Sequence, residues 1–217
     1  MERWATFDCY GTLIDWNGGI RRELARIFGE GDADRLLARY HELEPELEHD
    51  GTLTYRGVLT RALERLAGEE GATLTEPDAL ARSLPSWKPF PEVRASLEDA
   101  RACGWKLAIL SNTDPDFIEA SKERIGVPFE ETVVASEIGS YKPGHKHWEE
   151  FFFRTGADRN RHVHVAASLF HDIRPAEQLG MPTIWINRLK ETAGPQPDRE
   201  LPDLRGLADT LDELVPA

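Results

Sequence analysis

Asp8 stands at the end of the short apolar run Arg3 to Phe7 and leads into Cys9-Tyr10-Gly11-Thr12-Leu13-Ile14-Asp15. A carboxylate in that place suits a nucleophile held in a tight turn, because Gly11 tolerates backbone angles closed to other residues and lets a ligand approach. The same residues also suit a plain turn that ends a strand. Ser111-Asn112-Thr113 offers a hydroxyl, an amide and the backbone N–H groups of a helix start, a set able to hold a carboxylate. Capping by Thr113 or Asp114 is the simpler use of that segment. Lys142, in Gly139-Ser140-Tyr141-Lys142-Pro143, adds a cation, and Asp172, in Val165-Ala166-Ala167-Ser168-Leu169-Phe170-His171-Asp172, adds a second carboxylate. Asp172 also suits the cap of a helix from Ile173 to Leu179.

Groups so far apart in sequence need a scaffold that gathers them. Strand-like runs are expected at Arg3 to Phe7, Lys106 to Leu110, Thr132 to Ala135, His162 to Ala166 and Thr183 to Ile186. From Pro89 onward they alternate with helical stretches, which argues for an α/β fold with a parallel sheet covered on both faces. Ligands bind beyond the carboxyl ends of such strands, where these segments would converge. Asp15 to Ser86 instead reads as helix throughout, with apolar spacings of three and four in Ile20-Leu24-Ile27, Leu36-Leu37-Tyr40-Leu43 and Val58-Leu59-Leu63-Leu66. This predicts a core of residues 1–14 and 89–217 interrupted by a helical insertion over 15–88, with hinges near Leu13 to Trp16 and Pro85 to Pro91. Gly104 and Gly126 end the helices that open near Glu92 and Pro115. The Pro-rich stretch from Ala193 to Pro202 reads as loop, before a last helix from Leu204 to Leu214.

Taken in order, these segments resemble the motifs of the haloacid dehalogenase superfamily, and the resemblance covers nearly the whole chain. It implies a Rossmann-like core with an inserted helical cap, and Asp8 as the nucleophile. Phosphatases of that superfamily carry an aspartate two residues after the nucleophile, to protonate the leaving alkoxide. Here Tyr10 stands there, as in the 2-haloacid dehalogenases. Halide is a weak base that leaves without a proton, so no general acid is required. The resemblance makes Thr12 and Ser111 the groups that fix Asp8 and substrate, Lys142 the balancing charge, and Asn112 part of the halide cradle. Asp172 would align the water that cleaves the aspartyl ester. Arg39, in Arg39-Tyr40-His41-Glu42-Leu43-Glu44, falls on the cap segment whose arginine binds halide, although an arginine on an acidic helix also serves as a solvated ion-pair partner. Tyr10, Trp148 and Phe170 would supply dry surroundings, with His171 bordering the site.

Some positions depart from the dehalogenase pattern. Ala167-Ser168-Leu169 stands where those enzymes commonly have Ser-Ser-Asn, and Trp148 replaces a tyrosine. Ala167 also falls where metal-dependent phosphatases hold an aspartate, which weakens a magnesium site built on Asp8 and Asp172. The expected activity is cofactor-free hydrolytic dehalogenation of short 2-haloacids. The alternatives are a magnesium-dependent small-molecule phosphatase and an idle superfamily member used for binding.

Composition bounds the partners. With 39 acidic against 26 basic residues, the 217-residue chain has a formal charge of −13 and no basic block, so nucleic acid and anionic membrane surfaces are not expected partners. A small anionic acid would have to be drawn in by local cations and backbone amides, and a homodimer is compatible with the sequence. Cys9 and Cys103 are the two cysteines and indicate no disulfide scaffold, so a reducing cytoplasm is expected. No apolar run approaches the roughly 20 residues of a membrane span. His162 and His164 would share one face of a strand, but no cysteine or carboxylate at metal-site spacing accompanies them.

Overall fold

In the computed structural model, which describes residues 2–49, 51–192, 194 and 196–217, all five positions of strand β1 (Arg3–Phe7) are buried. A strand dry on both faces belongs in the middle of a covered sheet. β1 pairs in parallel with β2 (Trp105–Ser111) on one side and β4 (His162–Ala166) on the other, with Phe7 opposite both Ile109 and Val165. β3 (Glu131–Val134), β5 (Thr183–Ile186) and β6 (Arg199–Leu201) complete a parallel six-stranded sheet in the order β3-β2-β1-β4-β5-β6. The chain builds outward from β1 to β3, then returns to the other flank of β1. The switch point of the sheet is therefore the carboxyl end of β1, where Asp8 emerges.

Alternate strand residues feed two apolar layers. Ala5, Phe7, Leu107, Ile109, Val163 and Val165 join the larger core with Val93 and Leu97 of α5 (Val93–Ala102) and Leu207 and Leu211 of α10 (Leu207–Leu214). Trp4, Ala108, Leu110 and Val133 face the opposite side, against Trp148 and Phe151 of α8 (Lys146–Thr155) and Ala176 of α9 (Arg174–Gln178). The other core helices are α6 (Pro115–Ile125), opened by Pro115 and closed by Gly126 in the left-handed conformation, and the short α7 (Ala135–Ile138).

Between Ile14 and Pro89 the chain is helical: α1 (Trp16–Phe28), α2 (Ala33–Glu48), α3 (Tyr55–Glu69), α4 (Ala79–Ser83) and a 3-10 turn at Leu84–Ser86. The chain leaves and re-enters the core side by side. Ile14 and Pro89 form an antiparallel bridge, Asp15 N donates to Lys88 O at 2.8 Å, and Phe90 N donates to Leu13 O at 3.0 Å. Gly19 of α1 lies flat on Trp87, whose ring atoms would stand 2.4 Å from an added Cβ, so only glycine permits that approach.

One expectation fails at the sheet edge. The stretch from Ala193 to Pro202 was expected to be loop, yet Arg199–Leu201 pairs with Ile184–Ile186 as β6. Arg199 and Glu200 are exposed and carry no apolar alternation, so nothing in this short run announces a strand. Ala193 and Pro195 lie outside the described residues. No described helix is long and apolar enough to cross a membrane.

Candidate functional site

Asp8 follows β1 and is only 7% exposed, with its backbone N–H bonded to Val165 O at 3.1 Å. The turn after it closes through Leu13 N and Ile14 N, which both donate to Cys9 O, and Gly11 takes φ +91°, a region that favours glycine. Thr12 Oγ1 donates to Asp8 Oδ2 at 2.9 Å and accepts from Ala167 N at 2.9 Å, tying the turn after β1 to the one after β4.

Lys142 is the hub. Its ammonium donates to Asp8 Oδ1 at 2.9 Å, Asp172 Oδ1 at 2.6 Å and Leu110 O at 2.8 Å, which uses all three N–H bonds. The side chain is 1% exposed, so this charge is held dry. Burial works against the ammonium, but Asp172 and Asp8 outweigh it and raise the lysine pKa. Burial also acts to raise Asp172, yet Lys142 and His164 hold it well below the usual carboxylate range. At Asp8 burial wins over the lysine, and Asp172 adds to it, so its pKa lies above the usual range.

Asp172 does not cap the following helix. It lies in a wide turn over Leu169–Ile173 of the π-helical type, braced by Ser168 Oγ, which accepts from His171 N at 3.0 Å. The turn aims its carboxyl at Lys142 and at His164, whose Nε2 donates to Oδ1 at 3.1 Å. With Nε2 donating, His164 Nδ1 accepts from the Thr6 hydroxyl at 2.8 Å, and Thr6 Oγ1 accepts from His162 Nε2 at 2.7 Å. The two histidines therefore share a threonine between strands, and burial lowers the pKa of His162 well below the ordinary value. Asp172 Oδ2 and Ser111 Oγ are buried with no hydrogen-bond partner.

These groups line a cavity of about 590 Å³ between the sheet end and the helical insertion. Asp8, Tyr10, Ser111, Asn112, Lys142, Phe170, His171 and Asp172 all reach it. The Tyr10 ring stacks on Tyr55 at 6.0 Å while its hydroxyl turns away to Ser121 at 3.0 Å, and burial raises its pKa well above 10. It therefore presents a ring rather than a proton. His171, packed against a half-exposed Phe170, is lowered to about 4 by burial and enters uncharged at neutral pH.

Several expected site residues sit otherwise. Arg39 lies on the outer surface of α2, paired with Glu69 at 2.8 Å and Glu42 at 2.7 Å, and does not line the cavity. Trp148 is fully buried beneath the sheet, edge-on to His164 at 5.1 Å, and acts from behind the site as packing. Asn112 lines the cavity with its amide already engaged: Nδ2 donates to Glu48 Oε2 at 3.1 Å and Lys142 O at 3.0 Å, and Oδ1 accepts from Lys142 N at 2.7 Å. It fixes the lysine loop.

The sequence reading missed the insertion's own contribution. Trp16, Asn17, His41, Glu44, Glu48 and Tyr55 line the roof, and Phe90 and Arg188 the side. Arg188 is held by Glu92 at 2.7 Å and donates to Thr12 O at 2.8 Å. Asp114 accepts from Tyr55 N at 3.0 Å and Arg56 N at 2.8 Å, so a core carboxylate caps α3 of the insertion.

A magnesium ion does not fit this donor set. The two carboxylates at the sheet end already converge on the Lys142 ammonium, and Ala167 offers no third. Among the described residues no group of three or more His, Cys, Asp or Glu side chains is arranged to hold a metal.

Residues 3–180 match the haloacid dehalogenase-like hydrolases. The chain is 30% identical to an (S)-2-haloacid dehalogenase of Pseudomonas sp. (strain YL), over 95% of its own length and 93% of that protein's. It is 25% identical to (S)-2-haloacid dehalogenase 4A of Burkholderia cepacia, over 99% and 94% of the two lengths. The fold superposes with a TM-score of 0.85 on L-2-haloacid dehalogenase from Xanthobacter autotrophicus with chloropropionic acid covalently bound, at 19% identity and covering 97% and 98% of the chains. This chain belongs to the haloacid dehalogenase-like hydrolase family.

Proposed function

We propose that the protein hydrolyses the carbon–halogen bond of short 2-haloacids, of haloacetate or 2-halopropionate type, through an ester on Asp8. The observation that carries this reading is the Lys142 ammonium fixed between Asp8 and Asp172 beneath a cavity that presents the Tyr10 ring where a proton donor would stand. An Asp8 carboxylate oxygen attacks the halogen-bearing carbon; the C–O bond forms as the C–X bond breaks, and halide leaves with the electron pair. Water then attacks the ester carbonyl of Asp8 as Asp172 takes one of its protons; the acyl C–O bond breaks, the water's second proton goes to the departing alkoxide to give the 2-hydroxyacid, the Asp8 carboxylate is restored, and Asp172 releases its proton to solvent.

Lys142 supplies the positive charge that a metal would otherwise provide. One ammonium against two carboxylates leaves the single negative charge the nucleophile needs. Thr12 holds the second oxygen of Asp8, and Ser111 Oγ remains free to donate to the substrate carboxylate. Residues 15–88 act as a cap over the core of 1–14 and 89–217 and keep bulk water from the nucleophile. The free cysteines Cys9 and Cys103 support a reducing, cytoplasmic setting.

Release of free halide from chloroacetate, fluoroacetate and each 2-chloropropionate enantiomer, with chelator present, tests the reading. Release is expected with one or more of these acids and is lost in Asp8→Asn. A substantial residual rate in that variant would overturn the assignment of the nucleophile.

A further inference from the structure

The walls and roof of the cavity carry a charge that its floor alone does not. Its charged lining comprises Asp8, Asp15, Glu44, Glu48, Asp172 and Glu191 against only Lys142 and Arg188. Both cations are spoken for, by Asp8 and Asp172 and by Glu92. Arg39, the cation expected to meet an anion from the cap, is on the outer surface.

In its place α2 turns two carboxyls inward. Glu44 and Glu48, one helical turn apart, are 8% and 7% exposed. Glu44 Oε1 accepts from the hydroxyls of Tyr40 at 3.0 Å and Tyr55 at 2.8 Å; Glu48 Oε2 accepts from Asn112 at 3.1 Å. The second oxygen of each makes no hydrogen bond among the described residues. Across the cavity Ser111 Oγ, wholly buried, is an unpartnered donor on the floor beside Asp8. A ligand completes this arrangement by bringing an acceptor to Ser111 and a donor to the cap. In their ionised form these two buried carboxyls repel a purely anionic guest, whereas a cationic group on the guest favours that ionised form and turns the repulsion into attraction.

We propose that Glu44 and Glu48 set substrate specificity, so that the site prefers a short 2-haloacid bearing an ammonium group next to the halogenated carbon over a plain 2-haloacid. This rests on the dehalogenase reading above. The carboxylate of such a zwitterion meets Ser111, the halogenated carbon meets Asp8, and the ammonium meets the free oxygens of the cap carboxyls. Hydrolysis exchanges halide for hydroxyl and leaves the ammonium untouched.

The test compares halide release from 3-amino-2-chloropropionate and 2-chloropropionate at pH 7.5, with binding of the two products, isoserine and lactate, measured by calorimetry. A kcat/KM ratio of about tenfold or more toward the amino compound is expected, carried mainly by KM. Glu48→Gln and Glu44→Gln are each expected to shrink that ratio, lowering use of the amino compound relative to the plain acid. A merely structural role would depress both substrates alike and leave the ratio standing. Thermal unfolding establishes that each variant is folded, and either one suffices for the comparison. Equal use of the two acids, or preference for 2-chloropropionate, would overturn the proposal while leaving dehalogenation intact. No halide from either acid, with isoserine still bound in preference to lactate, would instead overturn dehalogenation and keep the charge selection. Absence of both would overturn both.

Discussion

At the scale of single residues, the site is a lesson in which cations are free. Lys142 spends all its N–H bonds on Asp8, Asp172 and Leu110 O, so it can steady charge but cannot reach out for a ligand. Arg39 has the reach and the wrong address. Its ion pairs with Glu69 and Glu42 are exposed and worth little, so Arg39→Ala is expected to change halide release by less than about twofold and to leave stability nearly unaltered. A steady-state assay on that variant checks it, and a large loss would return Arg39 to the reaction. The motif residues were legible because each lies in a segment that follows a strand, and the sheet brings the carboxyl ends of its strands together whatever lies between. Arg39 was misread because the segment's order suggested a family position while its helical phase pointed elsewhere. Tyr40, Leu43, Glu44, Leu47 and Glu48 are the buried side of α2, and a charged residue one position before Tyr40 turns outward. That phase was open to reading from the sequence. What hid Glu44 and Glu48 was the ordinary rule that glutamates on a helix face water.

At the scale of elements, the helical insertion is joined to the core by several hydrogen bonds, among them those of Asp114 with Tyr55 N and Arg56 N, Tyr141 with Leu53 O, and Asn112 with Glu48. Asp114 caps α3 through both carboxylate oxygens, so Asp114→Ala is expected to cost ~1–2 kcal/mol and to raise KM by loosening the roof, with kcat less affected. Denaturant titration together with initial rates would check both halves. The buried carboxyls of α2 make the stability of the fold depend on pH. Burial raises Glu44 from its ordinary 4.5 to about 7, with Tyr55 and Tyr40 opposing and Asp8 adding. Glu48 is raised likewise by burial and by Glu44, against Asn112 and Lys142, with His171 Nε2 3.9 Å from its Oε2. A carboxyl whose pKa is higher in the folded state binds more protons there than in the unfolded chain. Its contribution is therefore favourable below about pH 4.5 and is lost as pH climbs toward 7. Thermal unfolding across that window should show Glu44→Gln gaining on the unaltered protein as pH rises, by ~3 kcal/mol at most. Equal pH slopes for the two would show that Glu44 is ionised at its usual pKa. The sequence announced the helices of the insertion and most of the strands, since these rest on local periodicity. It could not announce β6, because a three-residue edge strand with two exposed positions is created by the neighbour it pairs with.

At the scale of the whole molecule, the formal charge of −13 bears on how an anion arrives. The field of the protein opposes approach, and about 0.1 M salt screens it beyond ~10 Å. For a plain 2-haloacid, kcat/KM should therefore rise a few-fold between roughly 0.01 and 0.15 M salt, while a zwitterionic substrate should respond weakly. Rates measured against ionic strength check this, and a fall with salt would mean that local cations dominate capture.

The paired crossing at Ile14 and Pro89 has a consequence for construction. Because the two ends of the helical segment lie hydrogen-bonded side by side, the sheet sees the 15–88 excursion as no more than a tight hairpin. Exchange of such a segment as a cassette is expected to leave the strands in place, since its entry and exit already meet. Yet the crossing begins one residue after Thr12, within the turn that holds Asp8. Whatever roof is grafted there inherits the same short tether to the nucleophile, so a change of substrate can be imported while the reacting carboxylate stays in place.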